Sequence, residues 1–118
     1  MTINGVELDS IDFTDADLIE KIDLGKVDFD KKVKEIEENK NDLSPAEGIR
    51  QECKIIKEFL DYVFGEGTST KVFGDKNSLG DCIKAFEDIM NERNKQLNGI
   101  NEIVNKYSPD RLKRWIYW

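Results

Sequence analysis

The sequence predicts a mainly α protein, a small bundle of about three to four helices preceded by a short N-terminal β-hairpin or extended arm. Three observations predict it. Apolar residues recur at spacings of three, four and seven along most of the chain, the period of a helix with one buried face. Helix start signals stand ahead of those stretches, at Thr14, at Ser44-Pro45-Ala46-Glu47 and at Ser78. Asn4-Gly5, set between short apolar and polar alternations, is a strong two-residue hairpin signal.

Residues 1–13 form the hairpin or arm, with Ile3, Val6, Leu8, Ile11 and Phe13 as its apolar positions. A lone hairpin is marginal in water, so it must lie on the helices or extend a sheet in another copy. Residues 14–107 form the helical core. Thr14 is the expected cap of the first helix, with Asp15 and Asp17 in the first turn where the dipole favours acids. Its stripe is Leu18, Ile22, Phe29, Val33 and Ile36, interrupted by Gly25, where a kink or break is expected. Ser44 caps the second helix, Pro45 takes its first position and Glu47 completes a capping box. The stripe here is Ile49, Cys53, Ile56, Phe59, Leu60 and Val63, and Gly65 ends it. The glycine-rich stretch 65–80 predicts turns around one short helical turn near Ser69 to Phe73.

Ser78 opens the longest helix, whose stripe is Leu79, Cys82, Ile83, Phe86, Ile89, Met90, Leu97, Ile100, Ile103, Val104 and Tyr107. Residues 91–96 place no large apolar group on that face, so the helix is expected to bend or leave the main body there. Residues 108–118 make a short C-terminal aromatic segment that holds both tryptophans and needs a cover from this domain's own core, a second copy or another protein. No linker divides the 118 residues, which read as a single helical domain.

Composition narrows the function. With no histidine, the chain lacks the commonest general base and metal ligand. Its carboxylates form no recognisable pair, so the sequence is read as non-catalytic, with no cofactor and no metal. Asp28-Phe29-Asp30 lacks the glycine and later ligands of a calcium loop. Gly65 to Lys71 has the wrong spacing for a phosphate loop, and Glu66 would repel phosphate. Cys53 and Cys82 each fall on a helical stripe and read as free thiols buried as small hydrophobes. The net charge of −7 is uneven: residues 1–30 carry nine acids against two lysines, while residues 93–118 carry six bases against two acids. An acidic head with a basic tail argues against nucleic-acid binding and suits contact with a basic partner or a second copy, hence a possible homo-oligomer. No apolar run is long enough to span a bilayer, and the N-terminal residues lack a signal-peptide pattern, so cytoplasmic residence is expected.

One stretch is more specific. Phe64-Gly65-Glu66-Gly67-Thr68, Lys71-Val72-Phe73-Gly74, Asn77-Ser78-Leu79, Cys82 and Ala85-Phe86-Glu87 form one continuous pattern. It resembles small tail assembly chaperones from tail-gene modules of phages and prophages of Gram-positive bacteria, best over about residues 44–90. The resemblance implies a helical, non-catalytic protein of the bacterial host cytoplasm that binds tape-measure and tail-tube proteins during tail morphogenesis. It implies no nucleic acid, membrane or small-molecule substrate. A structural tail or connector subunit retained in the particle, or a phage-encoded protein binding a host target, are the alternatives. The expected contact residues are Phe64, Val72 and Phe73 beside the glycine-rich turn, and Trp115, Ile116, Tyr117 and Trp118 at the C-terminal end, aromatic-rich segments of the kind that anchor interfaces.

Overall fold

A computed structural model describes residues 1–107 of the chain. Strands β1 (Thr2–Ile3) and β2 (Val6–Glu7) pair antiparallel and are followed by helices α1 (Ala16–Glu38), α2 (Pro45–Phe64), α3 (Thr68–Phe73) and α4 (Leu79–Tyr107). The fold is therefore mainly α, a small helical bundle with a two-stranded hairpin, as the sequence predicts. No helix among the described residues is long and apolar enough to cross a membrane.

The hairpin turn follows from its two residues. Asn4 and Gly5 have φ of 51° and 79°, so both central positions are left-handed, the geometry that matches the twist of the flanking strands. Asparagine and glycine are the residues that tolerate it. The hairpin lies on α4. The Asn4 backbone N–H donates to Asp88 Oδ2 at 2.9 Å, and its side-chain Nδ2 donates to the Asp81 carbonyl at 2.9 Å. Asp81 and Asp88 are seven residues apart, two turns along one face of the helix. Ile3 is thereby fully buried.

Residues 8–13 continue beside α4. Gln96 holds them through both ends of its amide: Nε2 donates to the Ile11 carbonyl at 2.6 Å, and Oε1 accepts from the Phe13 N–H at 2.8 Å. The polar interval 91–96 is thus a docking point for the arm, and α4 runs through it as one continuous helix. Phe13, 1% exposed, meets Phe64 edge to face with ring centroids 6.4 Å apart.

Helix α1 begins at Ala16 with Asp15, not Thr14, as its cap; Asp15 Oδ1 accepts from the Asp17 N–H at 2.8 Å. Thr14 is already engaged, its N–H and hydroxyl both donating to Asp12. Gly25 produces no break. The helix is continuous, and Gly25 is its buried point of closest approach to α2. A 3-10 turn (Lys40–Asp42) then reverses the chain into α2, where Ser44 Oγ accepts from the Glu47 N–H at 3.2 Å. Glu47 pairs weakly with Arg50.

Helix α2 is apolar on two sides. Cys53, Ile56 and Leu60 join Ile3, Phe13, Phe73, Cys82, Ala85 and Ile89 in the main core. Ile55, Phe59 and Tyr62 face α1. Along α4 the buried line is Cys82, Ala85, Ile89, Leu97 and Val104, narrower than the expected stripe: Ile83, Met90 and Ile103 are exposed. Leu97, Val104 and Ile100 form a second, smaller cluster.

Because two hydrogen bonds from one amide carry the end of the arm, Gln96→Ala is expected to destabilise the protein by about 1–3 kcal/mol. Urea unfolding measures the loss, and faster hydrogen exchange at the Phe13 amide locates it.

Candidate functional site

An open groove of about 520 Å³ runs between α1 and α2. Its apolar walls come from Leu24 and Phe29 on α1 and Ile55, Phe59 and Tyr62 on α2. The helices approach closely because position 25 has no side chain: a Cβ there would lie 3.0 Å from the Phe59 ring and 3.3 Å from Tyr62. Glycine weakens a helix interior by about 1 kcal/mol relative to alanine, so this close contact explains a residue that propensity disfavours.

The floor is rigid. Phe59 meets Phe29 at 5.8 Å and Phe86 of α4 at 6.2 Å, and Phe29 meets Phe86 at 6.5 Å, so one aromatic trio joins three helices. Phe29 meets both partners edge to face while Phe59 and Phe86 are tilted at 46°, and edge-to-face pairs add about 0.5–1.5 kcal/mol each beyond the area they bury. Above this floor the rim is unusually apolar: Leu24 is 55% exposed and Tyr62 49%, and Val27, on the outer face of α1, is 70% exposed. On α4, Ile83 and Met90 flank Phe86 at spacings of three and four and are exposed as well.

A charged cluster closes one end of the groove. The Lys32 ammonium sits 2.6 Å from Glu58 and 2.9 Å from Asp28. Hydrogen bonds from Lys32 to Glu58 and then Asp28 raise its pKa to about 12. The cluster ties α1 to α2 and carries one more negative charge than positive.

The sequence-predicted contact residues beside the glycine-rich turn lie elsewhere. Phe73 is buried in the main core, Phe64 packs on Phe13, and Val72 is half-buried against the core. The turn therefore does not display its two phenylalanines. Asp61 is the reason: its carboxylate accepts from the Ser69 N–H at 2.8 Å and the Ser69 hydroxyl at 2.9 Å, while the Thr68 hydroxyl donates to the Gly65 carbonyl. These bonds dock α3 on the end of α2 and turn Phe73 inward. They also place a carboxylate at the start of α3, where a phosphate would be repelled. Trp115, Ile116, Tyr117 and Trp118 lie outside the described residues.

The groove residues had a sequence signal. Leu24 and Tyr62 are large apolar or aromatic residues off the predicted stripes of their helices, the signature of an apolar group left outside the core. Asp28 and Asp30 stand on α1, and Asp28 is the partner of Lys32. Among the described residues, no three of the side chains Cys, Asp and Glu gather as a metal-ligand set. The groove offers apolar contact area beside the Lys32 cluster.

Gly25→Leu is expected to force Phe59 and Tyr62 aside and cost about 1–3 kcal/mol in thermal or denaturant unfolding. Lys32→Met is expected to cost under about 1 kcal/mol at neutral pH, because the ion cluster is solvent-screened. The raised Lys32 pKa fixes the sign of the pH effect. Its contribution is complete below the ordinary value of 10.5 and is lost as pH rises through about 12. The difference in melting midpoint between wild type and Lys32→Met should vanish across that window.

No curated protein and no solved structure matches the chain. A family model, described as a family of unknown function (DUF6673), matches residues 4–116, from the hairpin turn through all four helices and beyond. The chain belongs to that family.

Proposed function

We propose that this protein is a non-catalytic tail assembly chaperone, which holds amphipathic helical segments of tape-measure and tail-tube proteins in the cytoplasm of a bacterial host during phage or prophage tail morphogenesis. The observation that carries the binding role is the open α1–α2 groove, whose apolar rim stands exposed above a rigid aromatic floor. An amphipathic partner helix buries its apolar stripe in such a groove through anchors one turn apart. Leu24, Tyr62 and the Phe29–Phe59 floor would receive those anchors. The phage assignment is supported by the sequence pattern from Phe64 to Glu87.

The test is co-expression of the tagged chain with tape-measure and tail-tube proteins encoded beside it. Retention of the tape-measure protein in soluble form only when the chain is present supports the proposal. The double variant Leu24→Glu, Tyr62→Glu is then expected to lower retention at least tenfold while leaving helical circular dichroism unchanged, because both side chains are about half exposed. Retention of neither protein, with the chain assembling into closed rings or remaining in purified particles, would replace the chaperone by a structural subunit.

A further inference from the structure

Cys53 and Cys82 are the two cysteines of the chain, one on α2 and the other on α4. Folding brings both to zero exposure in the main core, with their Sγ atoms 3.7 Å apart and the Cys82 thiol donating to Cys53. Positions 29 apart in sequence are thus in sulfur–sulfur contact. A disulfide needs Sγ atoms at about 2.05 Å, so the pair is less than about 2 Å from bonding distance. Both thiols are free. Burial, then the contact with Cys53, pushes the Cys82 thiol up to about 12, so it stays protonated near neutrality and attacks slowly while the core is closed.

We propose that Cys53 and Cys82 form an oxidation site at which a small-molecule disulfide of the glutathione class converts the two thiols into an internal disulfide joining α2 to α4. The chemistry is two successive thiol–disulfide exchanges. One cysteine loses its proton and attacks a sulfur of oxidised glutathione. The glutathione disulfide bond breaks, and one reduced glutathione leaves with a proton. The second cysteine, already in contact, attacks the protein sulfur of the mixed disulfide and expels the second glutathione. Two protein thiols are oxidised to one disulfide, one glutathione disulfide is reduced to two thiols, and both protons end on glutathione. The enclosed position makes opening of the core the slow step. Contact between the two sulfurs makes the second exchange fast, so the mixed disulfide does not accumulate. The new bond closes a loop that carries α3 and pins the arm-bearing helix to the groove-bearing one.

The test uses the full chain incubated with oxidised glutathione under native conditions, quenched with acid, and read by intact mass and by maleimide labelling in denaturant. The expected result is a monomer that has lost two hydrogens, carries no glutathione and binds no maleimide. Its Tm without reductant is expected to lie about 5–15 °C above that of the reduced chain, the range for a loop of this length. Cys53→Ala, where it folds, should instead remain reduced or stop at a glutathione adduct on Cys82. The wild-type measurement decides by itself. Thiols that stay free under a mixture that oxidises the denatured chain, a stable glutathione adduct, chain-to-chain dimers, or oxidation with loss of helicity would each overturn the proposal.

Discussion

The structure depends on α2 being apolar on two sides at once. Cys53, Ile56, Leu60 and Val63 point one way, and Ile55, Phe59 and Tyr62 the other. A helix with one such stripe needs one neighbour; a helix with two holds apart and organises two. Helix α1 covers the Ile55–Phe59 side, and α4 with the hairpin and α3 covers the Cys53–Leu60 side. Phe59, Phe29 and Phe86 form the seam where the two arrangements meet. In this way a chain with only 38% hydrophobic residues acquires a main core that joins the hairpin to all three long helices.

The N-terminal arm completes that core and is held by polar groups. Asn4 and Gln96 each use a side-chain amide to satisfy backbone groups across more than 75 positions of sequence. Such bonds contribute modestly to net stability, but a buried backbone N–H left without them is costly. They therefore fix where the arm lies, while Ile3 and Phe13 supply the apolar burial that keeps it there, about 1.5–3 kcal/mol for each such side chain. The long polar interval of α4 and the arm are complementary halves of one arrangement.

What remains uncovered is as informative as what is buried. Leu24 and Tyr62 stand exposed at a groove whose floor is shared by three helices. Exposed apolar side chains scattered singly are ordinary, and the proposed binding role rests on two that flank one concavity. The acidic head of the chain, with nine acids in residues 1–30, adds a field that attracts basic segments and speeds their approach.

Local chemistry determined the elements. Asn4-Gly5 specifies a turn with both φ positive, Ser44-Pro45 starts α2 and Ser78 starts α4, because each signal acts within a few residues of itself. The helical period likewise identified Cys53, Leu60, Cys82 and Ile89 as buried. Periodicity gives a face but not its width, and so it placed Ile83, Met90 and Ile103 inside when they are exposed. It also read Gly25 as an interruption, because only the neighbouring helix reveals that the missing side chain makes room for Phe59. The inward turn of Phe73 depends on Asp61 reaching Ser69, and the role of residues 91–96 on Gln96 reaching the arm. By itself, then, the sequence determined which segments are helical, where α2 and α4 start and that a hairpin precedes them. Only the tertiary structure decided which apolar residues stay at the surface, that a groove opens between α1 and α2, and that two distant thiols touch, because those outcomes arise from contacts between segments that no local period encodes.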